Sequence, residues 1–157
     1  MIKAIFSDFA RVICFLKDTS YRGKLSDLYD SLRGKDVSVF NHYTLNHEYL
    51  RFLHNLKKQH DIALYIFTSG KMHLDDEILS ITKSLFDDQF SALDFASSKS
   101  EKESYLLLAG KLNLQPADIL FIDDREHNIE AAKQAGLATI HYLNNADAFE
   151  KIQDLVS

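Results

Sequence analysis

Several residue types that mark specialised protein classes are scarce in this chain. A single cysteine, Cys14, cannot form a disulfide within the chain, and its apolar neighbours favour a buried side chain over a reactive thiol. One proline and five glycines leave no low-complexity segment or linker. No apolar run reaches membrane-spanning length, and a net charge of -5 gives no sign of a surface for nucleic acid or anionic lipid. The N-terminus has no basic region, long apolar segment or cleavage site, so we expect a cytoplasmic protein.

What the chain does contain is enough material for one folded domain. Its 157 residues are 46% hydrophobic and 26% charged, which is ordinary for a globular protein and sufficient for a sizeable core. We therefore expect a single domain over residues 1–157, without internal repeats.

The apolar pattern predicts an α/β fold. Three nearly unbroken apolar runs, residues 2–6, 62–67 and 119–122, are typical of strands buried on both faces of a parallel sheet. Alternation of strands and helices predicts a mostly parallel sheet with right-handed crossovers. The remaining elements are a weaker strand over 90–95, a last strand over 137–142, helices over 74–86, 101–112, 126–135 and 146–156, a helix that starts near Thr44, and a connecting segment without clear period over 37–43. Within the polar stretch 17–35, the helical spacing of Leu25, Leu28, Tyr29 and Leu32 predicts a further short helix that Gly34 stops.

Each of the three strong runs leads into polar side chains: Asp8, Thr68 and the pair Asp123 and Asp124. In a parallel sheet these side chains lie at the same edge, where open α/β sheets place their ligands. Carboxylates so close together repel, and a shared hard cation is the usual way to keep them ionised at neutral pH. Oxygen ligands in this number suit Mg²⁺, which pairs readily with a substrate phosphate.

The same set of residues predicts phosphate chemistry. The hydroxyl of Thr68 and the ammonium group of Lys99 are suitable partners for phosphate oxygens, and Asp8 could attack the phosphorus atom as a nucleophile. Each residue also has an ordinary interpretation, because Thr68 and the acidic pair could cap turns or helices and Lys99 could be a surface residue. Their combination in this order favours a site.

Four stretches of the chain resemble motifs of the haloacid dehalogenase (HAD) superfamily. Residues 2–12, an apolar strand followed by an aspartate, resemble its first motif, and residues 67–69 resemble the second, whose hydroxyl binds phosphate. Lys99 stands where the lysine of the third motif would be, and residues 121–136 resemble the fourth motif most specifically. The resemblance covers nearly the whole chain and implies a HAD-like hydrolase.

The resemblance also implies a detailed architecture and set of roles. The fold would be a Rossmann-like three-layer core with a mostly parallel sheet and a very small cap-type insert over about residues 14–43. Asp8 would be the nucleophile and also a ligand of Mg²⁺. Asp124 would be the main side-chain ligand of Mg²⁺, Asp123 an auxiliary ligand, and Ala10 a ligand through its backbone carbonyl. The substrate would be bound by Thr68, Ser69, Lys99 and Arg11, and Lys99 would also be catalytic.

One departure from the family pattern bears on activity. Phosphatases of the superfamily place a second aspartate two residues after the nucleophile, where this chain has Ala10. That carboxyl group protonates the leaving group and later activates water, and help of this kind is worth roughly 10²–10⁴-fold in rate. Arg11 replaces a usual glycine and is either a fixed charge near the site or a surface side chain.

Two function classes follow. The first is a Mg²⁺-dependent phosphatase-type hydrolase of reduced activity that forms an aspartyl-phosphate on Asp8 and acts on a small phosphorylated substrate or a phosphorylated macromolecule. The second is a degenerate HAD fold used for binding or regulation. A less favoured alternative is cleavage of a C–P or a C–halogen bond. For C–P cleavage, Lys17, Lys24 or Lys35 of the insert would form a Schiff base, but the insert looks too short for a full cap. The acidic pair Asp123 and Asp124 argues against C–halogen cleavage.

Overall fold

The computed structural model describes residues 1–35 and 37–157 as alternating strands and helices. Within these described residues, no helix is both long and apolar enough to cross a membrane. In chain order the elements are β1 (Ala4–Ser7), β2 (Cys14–Leu16), α1 (Leu25–Leu32), β3 (Tyr43–Leu45), α2 (His47–Gln59), β4 (Ala63–Thr68), α3 (Asp76–Thr82), β5 (Asp88–Ser91), α4 (Lys102–Lys111), β6 (Ile119–Asp123), α5 (Glu126–Gln134), β7 (Ala138–His141) and α6 (Asn145–Val156).

β1 is the central strand of a five-stranded sheet with the order β5-β4-β1-β6-β7. All neighbouring strands in this sheet are parallel, with Ala4 of β1 opposite Ala63 of β4 on one side and Ile119 of β6 on the other. The chain builds one side of the sheet with β4 and β5 and then crosses β1 to build the other. Such a switch point leaves a crevice beyond the carboxyl ends of the central strands, which is where open α/β sheets bind ligands.

Helices cover both faces of this sheet, so the predicted three-layer α/β fold is confirmed. Ile5 and Leu120 point into a core that α2 and α6 cover, whereas Phe6, Phe67 and Phe121 point into a second core that α4 and α5 cover. All five side chains are fully buried. Burial on both faces explains why the central strands appear in the sequence as unbroken apolar runs.

The segment predicted as a small insert, residues 14–43, begins in β2 and ends in β3. These two strands form a separate antiparallel pair, with Cys14 opposite Leu45. Cys14 is buried, and burial raises the pKa of its thiol to about 12, in agreement with an unreactive side chain. The hydroxyl of Tyr43 donates to the Leu25 carbonyl at 3.0 Å, which ties α1 to β3. The role of this segment as a cap stays a prediction.

The predicted start of α2 near Thr44 is wrong. Thr44 lies in β3 opposite Phe15, and the helix begins at His47. The side chain of Asn46 accepts a hydrogen bond from the backbone N–H of Tyr49 and so caps the helix. Strand pairing with β2, which the local sequence does not reveal, displaced the helix start.

Other boundaries also differ from the predicted ones. The predicted connecting segment 37–43 contains a short 3₁₀ helix, Val39–Asn41, and the first residue of β3. The helix predicted over 74–86 is shorter: α3 covers Asp76–Thr82, and it begins after Asp75 because the side chain of Asp75 caps it by accepting from the N–H of Glu77. The strand predicted over 90–95 is β5, which ends at Ser91. β1 and β4 are each shifted by one or two residues toward their carboxyl ends.

Candidate active site

Four of the predicted site residues lie at the carboxyl edge of the three central strands. Asp8 directly follows β1, Thr68 ends β4, Asp123 ends β6 and Asp124 follows it. One carboxylate oxygen from each of the three aspartates lies within 4.8 Å of the others. The parallel sheet therefore brings together three acidic groups that are up to 116 positions apart in the chain.

Lys99 is buried among these carboxylates. Its Nζ lies 2.7 Å from Asp8 Oδ1 and 2.6 Å from Asp123 Oδ2, and the whole residue is only 3% exposed. The rings of Phe67 and Phe121 contact the same ammonium group, with centroids 5.5 Å and 5.3 Å away. A charge-assisted contact of this kind, shielded from water, fixes the orientation of both carboxylates.

Asp123 is held by donors on both of its oxygens. Oδ1 accepts from the backbone N–H of Arg125 at 2.8 Å, and Oδ2 accepts from Nδ2 of Asn128 at 3.1 Å as well as from Lys99. With its oxygens so engaged, Asp123 is better placed to orient Lys99 than to coordinate a metal ion. Asp124, which is half-buried, is the better candidate ligand of the pair.

The electrostatics of the cluster favour a bound cation. Burial, opposed by Lys99 and reinforced by the charges of Asp123 and Asp124, raises the pKa of Asp8 to about 7. Burial and the charge of Asp123 also raise the pKa of Asp124. For Lys99, burial alone would lower the pKa, but the two carboxylates outweigh it and the pKa is raised. One ammonium group thus leaves excess negative charge among three aspartates.

The donor set fits Mg²⁺. Oxygen ligands from Asp8 and Asp124 are hard donors. The backbone carbonyl of Ala10, two residues after Asp8, accepts no hydrogen bond from the backbone of the described residues. When bound there, a divalent cation would neutralise the excess negative charge and polarise a substrate phosphate.

A cavity of about 200 Å³ lies beside Asp8 and Lys99 of this cluster. Thr68 is buried in its wall, Ser69 is exposed at its rim, and Asp8 and Lys99 reach it from the sheet edge. A larger cavity of about 680 Å³ between the insert and α3 contains none of the predicted site residues. The full lining of the smaller cavity is Asp8, Phe9, Ala10, Arg11, Lys24, Leu25, Ser26, Asp27, Thr68, Ser69, Gly70, Met72, Lys99, Arg125 and Asn128.

Arg11 connects the sheet edge to the insert. Its φ angle of 61° lies in the left-handed region, and its backbone N–H donates to the Cys14 carbonyl at 2.7 Å. Its guanidinium group donates through Nη2 to the Gly23 carbonyl at 2.9 Å. Arg11 also lines the cavity. The sequence alone had not decided between a charge near the site and a surface side chain for this residue.

The structure adds residues that the sequence had not singled out. The hydroxyl of Tyr105 lies 2.6 Å from the Lys99 carbonyl and 3.1 Å from the Asn128 carbonyl, and so joins the Lys99 loop to α5. Asn128 could have been recognised from the sequence, because it is a polar residue beside the buried apolar positions of the same helix. Lys24 was already one of the three Schiff-base candidates of the insert, and of these three it is the one that lines the cavity, so the Schiff-base alternative now depends on it.

Comparison with known proteins decides the family. A model of the haloacid dehalogenase-like hydrolases matches residues 12–136, most of the chain. The chain belongs to this family. The match begins after Asp8 and Ala10, so it leaves the roles of those two residues as predictions.

Curated relatives of this HAD-like hydrolase include Enolase-phosphatase E1 of Methylococcus capsulatus, 32% identical over 109 residues, which cover 65% of this chain and 47% of the relative. The corresponding enzyme of Aquifex aeolicus is 31% identical over 104 residues, or 60% and 46% of the two chains. The chain thus matches about half the length of these relatives.

Solved structures share the fold over nearly the whole chain. A HAD-superfamily hydrolase of subfamily IA from Geobacter sulfurreducens has a TM-score of 0.71 at 18% identity and covers 99% of this chain and 97% of its own. A HAD family enzyme from Bacteroides thetaiotaomicron, solved in complex with magnesium and inorganic phosphate, has a TM-score of 0.62 at 16% identity, with 93% and 96% covered. At these identities the likeness establishes the fold.

Proposed function

We propose that this HAD-like hydrolase releases phosphate from a phosphorylated substrate, with Asp8 as the nucleophile and Mg²⁺ as the cofactor. The observation that carries the proposal is the buried Lys99, which lies between Asp8 and Asp123 in a cavity whose wall includes the Thr68 hydroxyl. The enolase-phosphatase relatives and a structural neighbour that binds magnesium and phosphate support it.

The proposed reaction has two displacements at phosphorus. A carboxylate oxygen of Asp8 attacks the phosphorus atom, and the bond to the leaving oxygen breaks with its electron pair on that oxygen. Lys99 and Thr68 contact the phosphate oxygens, and Mg²⁺ would offset their charge. Water then attacks the aspartyl-phosphate, the bond between phosphorus and Asp8 breaks, and inorganic phosphate leaves.

The presence of alanine at position 10 determines the rate of hydrolysis that we expect. Without a carboxyl group at this position, the leaving oxygen takes its proton from water and the attacking water loses its proton to solvent. Both displacements therefore lack general acid–base help, and we expect slow turnover that depends on how well the leaving group carries negative charge.

The test is phosphate release from an aryl phosphate, measured with and without Mg²⁺ for the wild type, Asp8→Asn and the exposed control Asp154→Asn. We expect metal-dependent release that is lost in Asp8→Asn and kept in Asp154→Asn. Equal release by the wild type and Asp8→Asn in matched preparations would exclude Asp8 as the nucleophile.

A second candidate is a binding or regulatory protein that retains the phosphate site without turnover. The replacement of a catalytic carboxyl group by Ala10 favours it. It predicts that the wild type binds inorganic phosphate in the presence of Mg²⁺ by calorimetry but releases none from any ester. Robust metal-dependent hydrolysis would rule this candidate out.

A further inference from the structure

The outer face of α4 is apolar where the outward face of a helix is normally polar. Helices that cover a sheet usually bury one apolar face and expose a polar one. On the core side of α4, Tyr105 and Leu108 are fully buried. On its outer side Leu106 and Leu107 are also apolar, and they are 44% and 49% exposed. Adjacent large apolar side chains on an exposed helix face indicate a contact with another molecule.

Gly110 belongs to the same face, four residues after Leu106 and three after Leu107. The usual reasons for a glycine do not apply to it. Its φ is not in the left-handed region, and a Cβ atom added to it would meet no atom of the described residues within 4 Å. Glycine also weakens a helix relative to alanine. What glycine does provide here is a bare stretch of backbone that a second helix can approach closely.

Two exposed charged residues flank this face, Glu103 one turn before Leu107 and Lys111 one turn after it. Neither forms an ion pair within the part of the chain that the structure describes. Each lies four residues from Leu107, so their spacing is symmetric about that residue. An antiparallel pair of α4 helices with a two-fold axis at Leu107 therefore places Glu103 of each copy opposite Lys111 of the other. A parallel pair would oppose like charges instead.

We propose that two copies of this chain associate through α4, with the two helices antiparallel and a two-fold axis at Leu107. Leucine side chains on a helix point back toward its N-terminus, so Leu107 of each copy reaches toward Gly110 of the other. The leucines form the centre of the interface, and the two pairs of Glu103 with Lys111 at its rim set the orientation. One helix pair buries less surface than the about 800 Å² per partner of a standard interface, so we expect a Kd on the order of 10 μM.

Sedimentation equilibrium from about 1 μM to about 300 μM measures this association, and the wild type should change from monomer to dimer over the range. Leu107→Glu places two carboxylates at the centre of the interface and should weaken dimerisation more than about tenfold. Leu143→Glu, at a 64% exposed leucine outside α4, is the matched control and should dimerise as the wild type does. A wild type that stays monomeric, or equal dimerisation by the two variants, would overturn the proposal.

Charge reversal tests the antiparallel orientation. Glu103→Lys and Lys111→Glu each oppose like charges twice in the dimer, so each variant alone should dimerise about tenfold more weakly. The double variant should recover the wild-type affinity, and so should a mixture of the two single variants, because their heterodimer opposes only unlike charges. Failure of either recovery would overturn the proposed pairing.

Gly110→Ala separates the interface from the stability of the helix. Alanine favours the helix, so the Tm measured at a concentration well below the Kd should rise. The added methyl group keeps the two helices apart, so dimerisation should weaken. These opposite changes cannot come from a loss of folding. If Gly110→Ala dimerises as tightly as the wild type, the helices do not meet at Gly110 and the proposed packing is wrong.

Discussion

Lys99 donates a hydrogen bond of 2.7 Å to Asp8, a residue 91 positions earlier in the chain, and both side chains are buried. The aspartate comes from the end of the central strand, and the lysine comes from the loop before α4. Burying two charges costs several kcal/mol each in lost hydration, which their attraction repays only with good geometry. Such a pair is poor evidence for stability, and it fits the proposed role of Asp8 as a nucleophile that must be held in place.

We predict that Lys99→Met destabilises the protein by about 3 kcal/mol or more in the absence of divalent cations. The substitution leaves Asp8 and Asp123 buried without their shared cation, and breaking a buried pair in this way typically costs 3–5 kcal/mol. Urea unfolding in EDTA measures the change. Lys133→Met, which breaks the exposed pair with Glu130, is the control and should change little. Similar unfolding midpoints for the two variants would contradict the prediction.

Mg²⁺ should stabilise the folded protein through Asp124. A ligand that binds only the folded state at 100 times its Kd adds about 2.7 kcal/mol, and the crowded carboxylates supply the reason for binding. Thermal unfolding with Mg²⁺ and with EDTA should therefore give a higher Tm with the metal for the wild type. Asp124→Asn should lose most of this shift and Asp154→Asn should keep it. An unchanged shift in Asp124→Asn would remove Asp124 from the metal site.

Ala10→Asp should raise the rate of ester hydrolysis by at least about tenfold. Ala10 is half-buried and lines the cavity, which gives the new carboxyl group space to reach the leaving oxygen. General acid–base help is worth roughly 10²–10⁴-fold when it is well placed. Initial rates with a poor leaving group, such as an alkyl phosphate, give the most sensitive readout. Ala10→Asn introduces a side chain of the same size that cannot transfer a proton as a carboxyl group does, so it should give no gain in rate. An equal gain in both variants would refute a proton-transfer role for the new carboxyl group.

His73 should make folding stability fall with acid. Its ring is buried, and burial, partly opposed by the charge of Asp94, lowers the pKa from 6.5 to about 4. Between pH 4 and pH 6.5 the imidazole of His73 binds a proton in the unfolded chain but not in the folded protein. The contribution of the neutral ring to folding stability is therefore complete above pH 6.5. It is lost as the pH falls to about 4, by up to about 3 kcal/mol.

Unfolding by urea at pH 7 and pH 4 measures this effect. His73→Leu replaces the ring by an apolar side chain and should reduce the loss of stability between the two pH values. The exposed His54→Gln should retain the wild-type loss. If His73→Leu loses as much stability as His54→Gln, the imidazole of His73 does not titrate in the way its burial implies.

The sequence by itself determined the fold class and the ends of the central strands. A strand buried on both faces needs apolar residues at every position, so residues such as Phe6 and Phe121 are readable without knowledge of their neighbours. The polar residue that ends such a run, as Asp8 or Asp123 does, must then lie at the edge of the sheet.

Only the tertiary structure decided the contacts that complete the site. The shared position of Lys99 between two aspartates, the hydroxyl of Tyr105 on its carbonyl, and Lys24 in the cavity wall join segments far apart in the chain. The displaced start of α2 has the same origin, because Thr44 was taken into a strand by pairing with Phe15. The local sequence indicates which residues are buried and which secondary structure they favour. Which distant side chains come into contact is decided by how the sheet and the helix layers pack.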